Sequence, residues 1–152
     1  FGDRKAAVDA ADLAAYNITQ TTANKIKKAI ENGLLAGKGP RDLAKDIEED
    51  TSFSASRSLT IARTESNKAI NMASVQAYQT SANNGINVQK GWISSRDDRV
   101  RDTHLEIDGQ LQDVNDDFVI PSTGDTATAP GDFGVEEQDI NCRCSVFPKV
   151  LK

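Results

Sequence analysis

The feature that most constrains the fold is a change of pattern at Asn83-Asn84-Gly85. Before it, apolar residues recur every three or four positions, as along one face of an α-helix. After it they come in short runs separated by polar turns. The pattern predicts an α+β fold: a helical N-terminal arm over residues 1–84, containing one long helix, followed by a compact C-terminal domain over residues 85–152 made of short strands, a short helix and long loops.

Within the arm, Ala6, Ala7, Ala10, Leu13 and Ala14 predict a first helix from Asp3 to about Tyr16. Thr21 or Thr22 is suited to cap a second, whose inner face is Ile26, Ala29, Ile30 and Leu34 and which Gly33, Gly37 and Gly39 bring to an end. Pro40 opens a third with Leu43, Ala44 and Ile47 turned inward. The long helix should run from Ser52 or Ser54 to about Ala82. Its inner face of Leu59, Ala62, Ser66, Ala69, Ala73 and Ala77 is mostly small, which lets another element approach closely.

Beyond Gly85, a strand is expected around Ile86, Val88 and Trp92-Ile93, with Trp92 in the core, then a turn at Ser94-Ser95-Arg96-Asp97. A brief helix should carry Arg101, His104 and Leu105 and stop at Asp108-Gly109. Gln110–Val114 and Phe118–Ile120 read as a strand pair around Asn115-Asp116-Asp117, ended by Pro121. Residues 122–138 read as an irregular excursion, and 140–147 as a returning strand.

Charge narrows the function classes. The formal net charge of -5 divides into -1 over residues 1–50 (8 basic, 9 acidic), +3 over 51–90 (4 and 1) and -7 over 91–152 (6 and 13). Extensive nucleic-acid binding needs a basic stripe that neutralises phosphates, and the C-terminal third has none. Arg57, Arg63, Lys68 and Lys90 in the middle segment are explained equally well as a solvated helix face. No apolar run approaches the ~20 residues of a membrane span. The chain opens on Phe1 instead of an initiator Met, so a part of a longer protein is expected.

The only histidine, His104, and the only two cysteines, Cys142 and Cys144, fall in the C-terminal third. In an extended segment residues i and i+2 leave the same face, so both sulfurs could grip one metal ion. A disulfide between them is the poorer reading: the two Cα atoms would lie roughly 6.6 Å apart with parallel Cβ vectors. Buried free thiols beside a packed histidine, oriented by Asp108 one turn on, are the alternative without a metal.

The order of motifs carries a further implication. Ile61-Ala62-Arg63-Thr64-Glu65 on a helix is followed by Trp92 before a polar turn. Then come Asp98, Arg101, His104 and Asp108-Gly109 at fixed intervals, a Phe-then-Pro segment, and Asn141-Cys142-Arg143-Cys144. Over roughly residues 40–148 this order resembles the phage Mu F-like head morphogenesis proteins. The resemblance implies a minor head (minor capsid) protein of the virion, assembled in the host cytoplasm and acting near the portal. Its implied partners are portal and capsid proteins, with phage DNA a further candidate, no membrane and no established catalytic residues.

Where many members of that family have His-Pro-Asn-Cys-Arg-Cys, this chain has Asp139-Ile140-Asn141-Cys142-Arg143-Cys144. Asp139 thereby becomes the candidate fourth ligand, beside His104, Cys142 and Cys144, of a structural Zn²⁺. Arg101 and Arg143 are expected to serve as hydrogen-bond donors to Asp98, Asp108 or backbone carbonyls. The competing class is an effector-type enzyme, a nuclease or a transferase toxin. It would use a Cys-His pair, or Mg²⁺ on Asp98, Asp102, Glu106 and Asp108. Neither set completes its catalytic roles.

Overall fold

A computed structural model describes residues 18–152; the helix expected over Asp3–Tyr16 lies outside them. Three helices come first: α1 (Gln20–Leu35), α2 (Pro40–Thr51) and α3 (Ala55–Asn83). The Thr19 side chain accepts from the Thr22 amide at 3.2 Å and caps α1, two residues ahead of the first expected position. Pro40 stands at the start of α2, where its missing N–H is no loss. Ser54 caps α3 by accepting from the Arg57 amide. Ile26, Ile30, Leu43, Ile47, Ile61 and Ala62 pack where the three helices meet.

The second half is mixed. Strand β1 (Val88–Ile93) is central in an antiparallel sheet, flanked by β2 (Leu111–Asp113) and β5 (Ser145–Val150). Trp92 pairs with Val146, and Gly91 with Leu111 and Phe147. A Cβ at Gly91 would stand 2.2 Å from the Phe147 ring, so the residue is small because that ring lies across it. A helical turn, α4 (Asp102–Glu106), precedes β2. A two-stranded ribbon, β3 (Phe118–Val119) with β4 (Thr126–Ala127), and a short α5 (Glu136–Asp139) complete the α+β fold.

The second core gathers Trp92, Ile107, Phe118, Ile120, Ala129, Cys142, Cys144 and Val146 around Val75 of α3. Helix α3 therefore supplies residues to both cores, which explains why more than one of its faces is buried. Ile61, Thr64, Lys68 and Asn71 are buried along with the small stripe, while Leu59 and Ala77 of the expected face are half-exposed.

Two expectations of the strand pattern are corrected. The segments around β2 and β3 do not form a ladder with each other: β2 pairs with β1, and β3 with β4. Between them the Gln110 side chain acts in place of a strand, accepting from the Val119 amide (3.1 Å) and donating to the Val119 carbonyl (3.2 Å). The final strand begins at Ser145, not at Ile140. Asn141 takes a left-handed backbone (φ +59°), and carbonyls of the following residues bond to side chains of α3 instead of a neighbouring strand.

Candidate metal centre

His104 sits on α4, between the turn held by Asp108 and the second core. Its Nδ1 faces both sulfurs, 3.4 Å from Cys144 Sγ and 3.7 Å from Cys142 Sγ. These three ligand atoms lie within 4.8 Å of one another, and theirs is the group of metal-ligating side chains that converges among the described residues. All three are sealed from solvent, with 1%, 3% and 2% exposure for His104, Cys142 and Cys144. Trp92 meets the imidazole edge-on (centroids 5.5 Å apart) and Phe133 stacks on it (5.7 Å).

A chain of polar groups fixes which nitrogen faces the sulfurs. Asp125 accepts from Gln138 Nε2 (3.1 Å), so Gln138 Oε1 is turned toward Thr103 Oγ1 (2.9 Å) and His104 Nε2 (3.1 Å). An amide oxygen only accepts; His104 Nε2 therefore carries the proton, and Nδ1 presents its lone pair to the thiols. This is how a protein prepares an imidazole to bind a metal. Asp108, the expected orienting residue, acts elsewhere. Its carboxylate accepts from the Ser94 amide (2.9 Å) and Arg96 Nε (2.8 Å) and closes the turn before α4, which holds it below its ordinary pKa.

The two thiols share a proton unequally. Donation from Cys144 brings Cys142 down to about 5, whereas Cys144 is pushed up by the hydrogen bond it gives to Cys142 and by burial. The pair readily loses one proton. A second thiolate in the same buried pocket needs a cation beside it.

Their backbone is gripped from α3. Asn67 Nδ2 donates to the carbonyls of Cys142 (3.0 Å) and Cys144 (3.1 Å), and Asn71 Nδ2 donates to Cys144 (3.1 Å) while its Oδ1 accepts from the Val146 amide (3.1 Å). Thr64 Oγ1 accepts from the Asn141 amide at 2.9 Å. These three residues, at i, i+3 and i+7, form one polar stripe that sequence reasoning passed over, although its helical spacing was visible. Gln138 and Asp125 had no such signal, being contributed by an irregular stretch.

The remaining motif residues are placed as follows. Arg101 donates to the Ile140 carbonyl, and Arg143 makes a two-pronged pair with Asp97 (2.7 Å on each prong), the residue beside the expected Asp98. Asp98 and Asp102 are exposed, and Glu106 accepts from the Ser122 amide. Gly109 adopts φ +84°, and its amide donates to the Trp92 carbonyl. Asp139 does not converge with His104 and the cysteines. Its two carboxylate oxygens accept from the Phe133 (2.9 Å) and Gly134 (2.8 Å) amides, and burial raises its pKa.

Comparison with known proteins places this architecture. The model of the phage Mu protein F like family matches residues 24–147, from early α1 into β5. The chain belongs to the phage Mu protein F like family. Among curated relatives, this member of the family is 35% identical over 135 residues to an NAD(+)–arginine ADP-ribosyltransferase of Enterococcus faecalis, covering 89% of this chain and 27% of that protein. It is 31% identical over 124 residues to the minor head protein of Bacillus phage SPP1, covering 82% of this chain and 40% of that protein. The chain thus spans well under half the length of either relative. No solved structure matches it significantly. Among the described residues no helix is long and apolar enough to cross a membrane.

Proposed function

We propose that this chain is a structural unit of a phage minor head protein, docking to portal or capsid during head assembly and residing in the virion. Its buried His104, Cys142 and Cys144 would hold a structural Zn²⁺. The observation that carries the assembly role is the family match over most of the chain, together with likeness to a relative that is itself a minor head protein. Co-purification of the full protein with portal under assembly conditions tests it, and failure to associate with either portal or capsid protein would sink the idea.

The zinc reading is supported by distance and by acid-base chemistry. Zinc held tetrahedrally at about 2.3 Å from sulfur and about 2.0 Å from nitrogen sets S···N separations of about 3.5 Å. The observed 3.4 and 3.7 Å bracket that value. The indole N–H of Trp92 is buried without a hydrogen-bond partner and acts to lower the pKa of Cys144, so a metal-bound thiolate there would provide its acceptor. Bound zinc would supply folding free energy by tying α4 to the segment before β5. For Asp139 to complete the set, its carboxylate would have to leave the Phe133 and Gly134 amides. Elemental analysis should therefore find zinc retained in D139N and lost in a C142S/C144S variant.

An effector-type enzyme is the second reading, favoured by the name of the Enterococcus faecalis relative. In its Cys-His form it requires substrate to reach the sealed His104 and Cys142. Nucleic-acid cleavage or ADP-ribosyl transfer by the purified chain, abolished in H104A, would establish it in place of the structural role.

A further inference from the structure

A groove of about 790 Å³ runs along the N-terminal half of α3 and is closed on one side by the Asn141–Arg143 segment. Its lining holds three arginines, Arg63, Arg99 and Arg143, and no aspartate or glutamate. That is unexpected in a chain with 23 acidic residues, whose residues 91–152 alone carry -7. Leu59, Arg63 and Ile70 fall on one stripe of the helix, at i, i+4 and i+11, so a cation stands between two apolar side chains over about 16 Å of helix axis. Pro40 extends the apolar wall, and Ile70 is 48% exposed.

The three cations are not equivalent. Both prongs of Arg143 are engaged by Asp97, and Arg99 lies 3.8 Å from the same carboxylate with its side chain three-quarters exposed. Arg63 is exposed and makes no ion pair among the described residues. With Asp97 offsetting one charge, the groove offers a modest positive surplus beside apolar surface. A nucleic-acid duplex draws its affinity from many phosphate contacts and has little use for an apolar strip. A protein segment with a carboxylate set between apolar side chains uses both.

We infer that this groove is a docking site for an acidic, amphipathic segment of a partner protein, whose carboxylate pairs with Arg63 while its apolar side chains cover Leu59 and Ile70. The groove borders the metal centre, sharing Asn67 and Cys142 with it, but its Arg63, Leu59 and Ile70 take no part in that centre; the inference deepens the assembly role proposed above by specifying the chemistry of the partner.

The test uses the full chain and three probes: a fluorescent 12-residue helical peptide of Glu and Leu, the same peptide with Lys for Glu, and a 20-base-pair duplex. The Glu-Leu peptide should bind in preference to both others. R63A and I70S should each weaken it about tenfold, the loss of one charged or buried anchor, while K45A, a lysine of α2 outside the groove, should leave it unchanged. The inference is overturned if the Glu-Leu peptide does not bind, if both groove variants bind it as the parent does, or if the Lys peptide binds equally. Tighter binding of the duplex, lost in R63A and falling steeply with salt, would overturn it in favour of a phosphate-binding surface.

Discussion

At His104 one amide decides the chemistry of the site. Gln138 accepts from Nε2 and so leaves Nδ1 free for the sulfurs. Q138L removes that acceptor while keeping much of the volume, and should lower metal affinity about 10- to 100-fold, the usual cost of losing such a supporting group; competition with a zinc chelator measures it. Acid stability has its own residues. Asp97, beside Arg143, and Asp108, beside the Ser94 amide, both have depressed pKa values, so their contribution is present above the ordinary carboxylate pKa and is lost as pH falls through their folded values. Asp139, raised by burial, has the opposite sign and is relieved by protonation. Thermal melts of D97N should accordingly show a smaller fall from pH 6 to pH 3 than those of the parent chain. Side-chain identity made His104, Cys142 and Cys144 legible as a group, because each residue type is so rare in this chain. Gln138 was not legible, because an amide acquires its role only from the acid and imidazole that the fold sets on either side of it.

Elements with a single period were read almost to the residue. Helices α1 to α3 follow the apolar spacing because their cores ask only for a hydrophobic face, and the period supplies it. What the spacing concealed was the second burial of α3, where Thr64, Asn67 and Asn71 look like solvent-facing residues until a distant segment uses them. The short strands β2 and β3 were located but wrongly paired with each other, for a related reason: a side chain, Gln110, stands in for a ladder, and no alternation pattern reports that. Packing between α1 and α2 gives a test in which two effects oppose each other. Alanine in place of Gly33 gains up to ~1 kcal/mol of helix propensity. Its Cβ, however, would lie 1.9 Å from Leu43, a fully buried side chain with little room to move, and overpacking costs about 1–3 kcal/mol. G33A should lower the melting temperature, and G33A/L43A should recover less than additively, as measured by calorimetry.

Across the whole molecule, two cores share α3 but only one contains the sulfur and imidazole ligands. With zinc in the centre as proposed, its removal by a chelator should therefore loosen the second core ahead of the first. Amide hydrogen exchange is expected to quicken in β1, α4 and β5 while α1 and α2 stay protected; uniform loss of protection would mean that the two cores unfold as one. The arrangement also imposes an order in time. Asn67 must wait for carbonyls that lie 75 and 77 residues further along the chain. During synthesis the α1–α2–α3 cluster can assemble as soon as it leaves the ribosome, because its contacts are local, whereas the centre cannot close until the Cys142–Cys144 segment has emerged. A truncation before Cys142 would thus leave the α1–α2–α3 cluster folded, with Asn67 and Asn71 stripped of their carbonyl partners and the apolar flank of α3 beside Val75 uncovered.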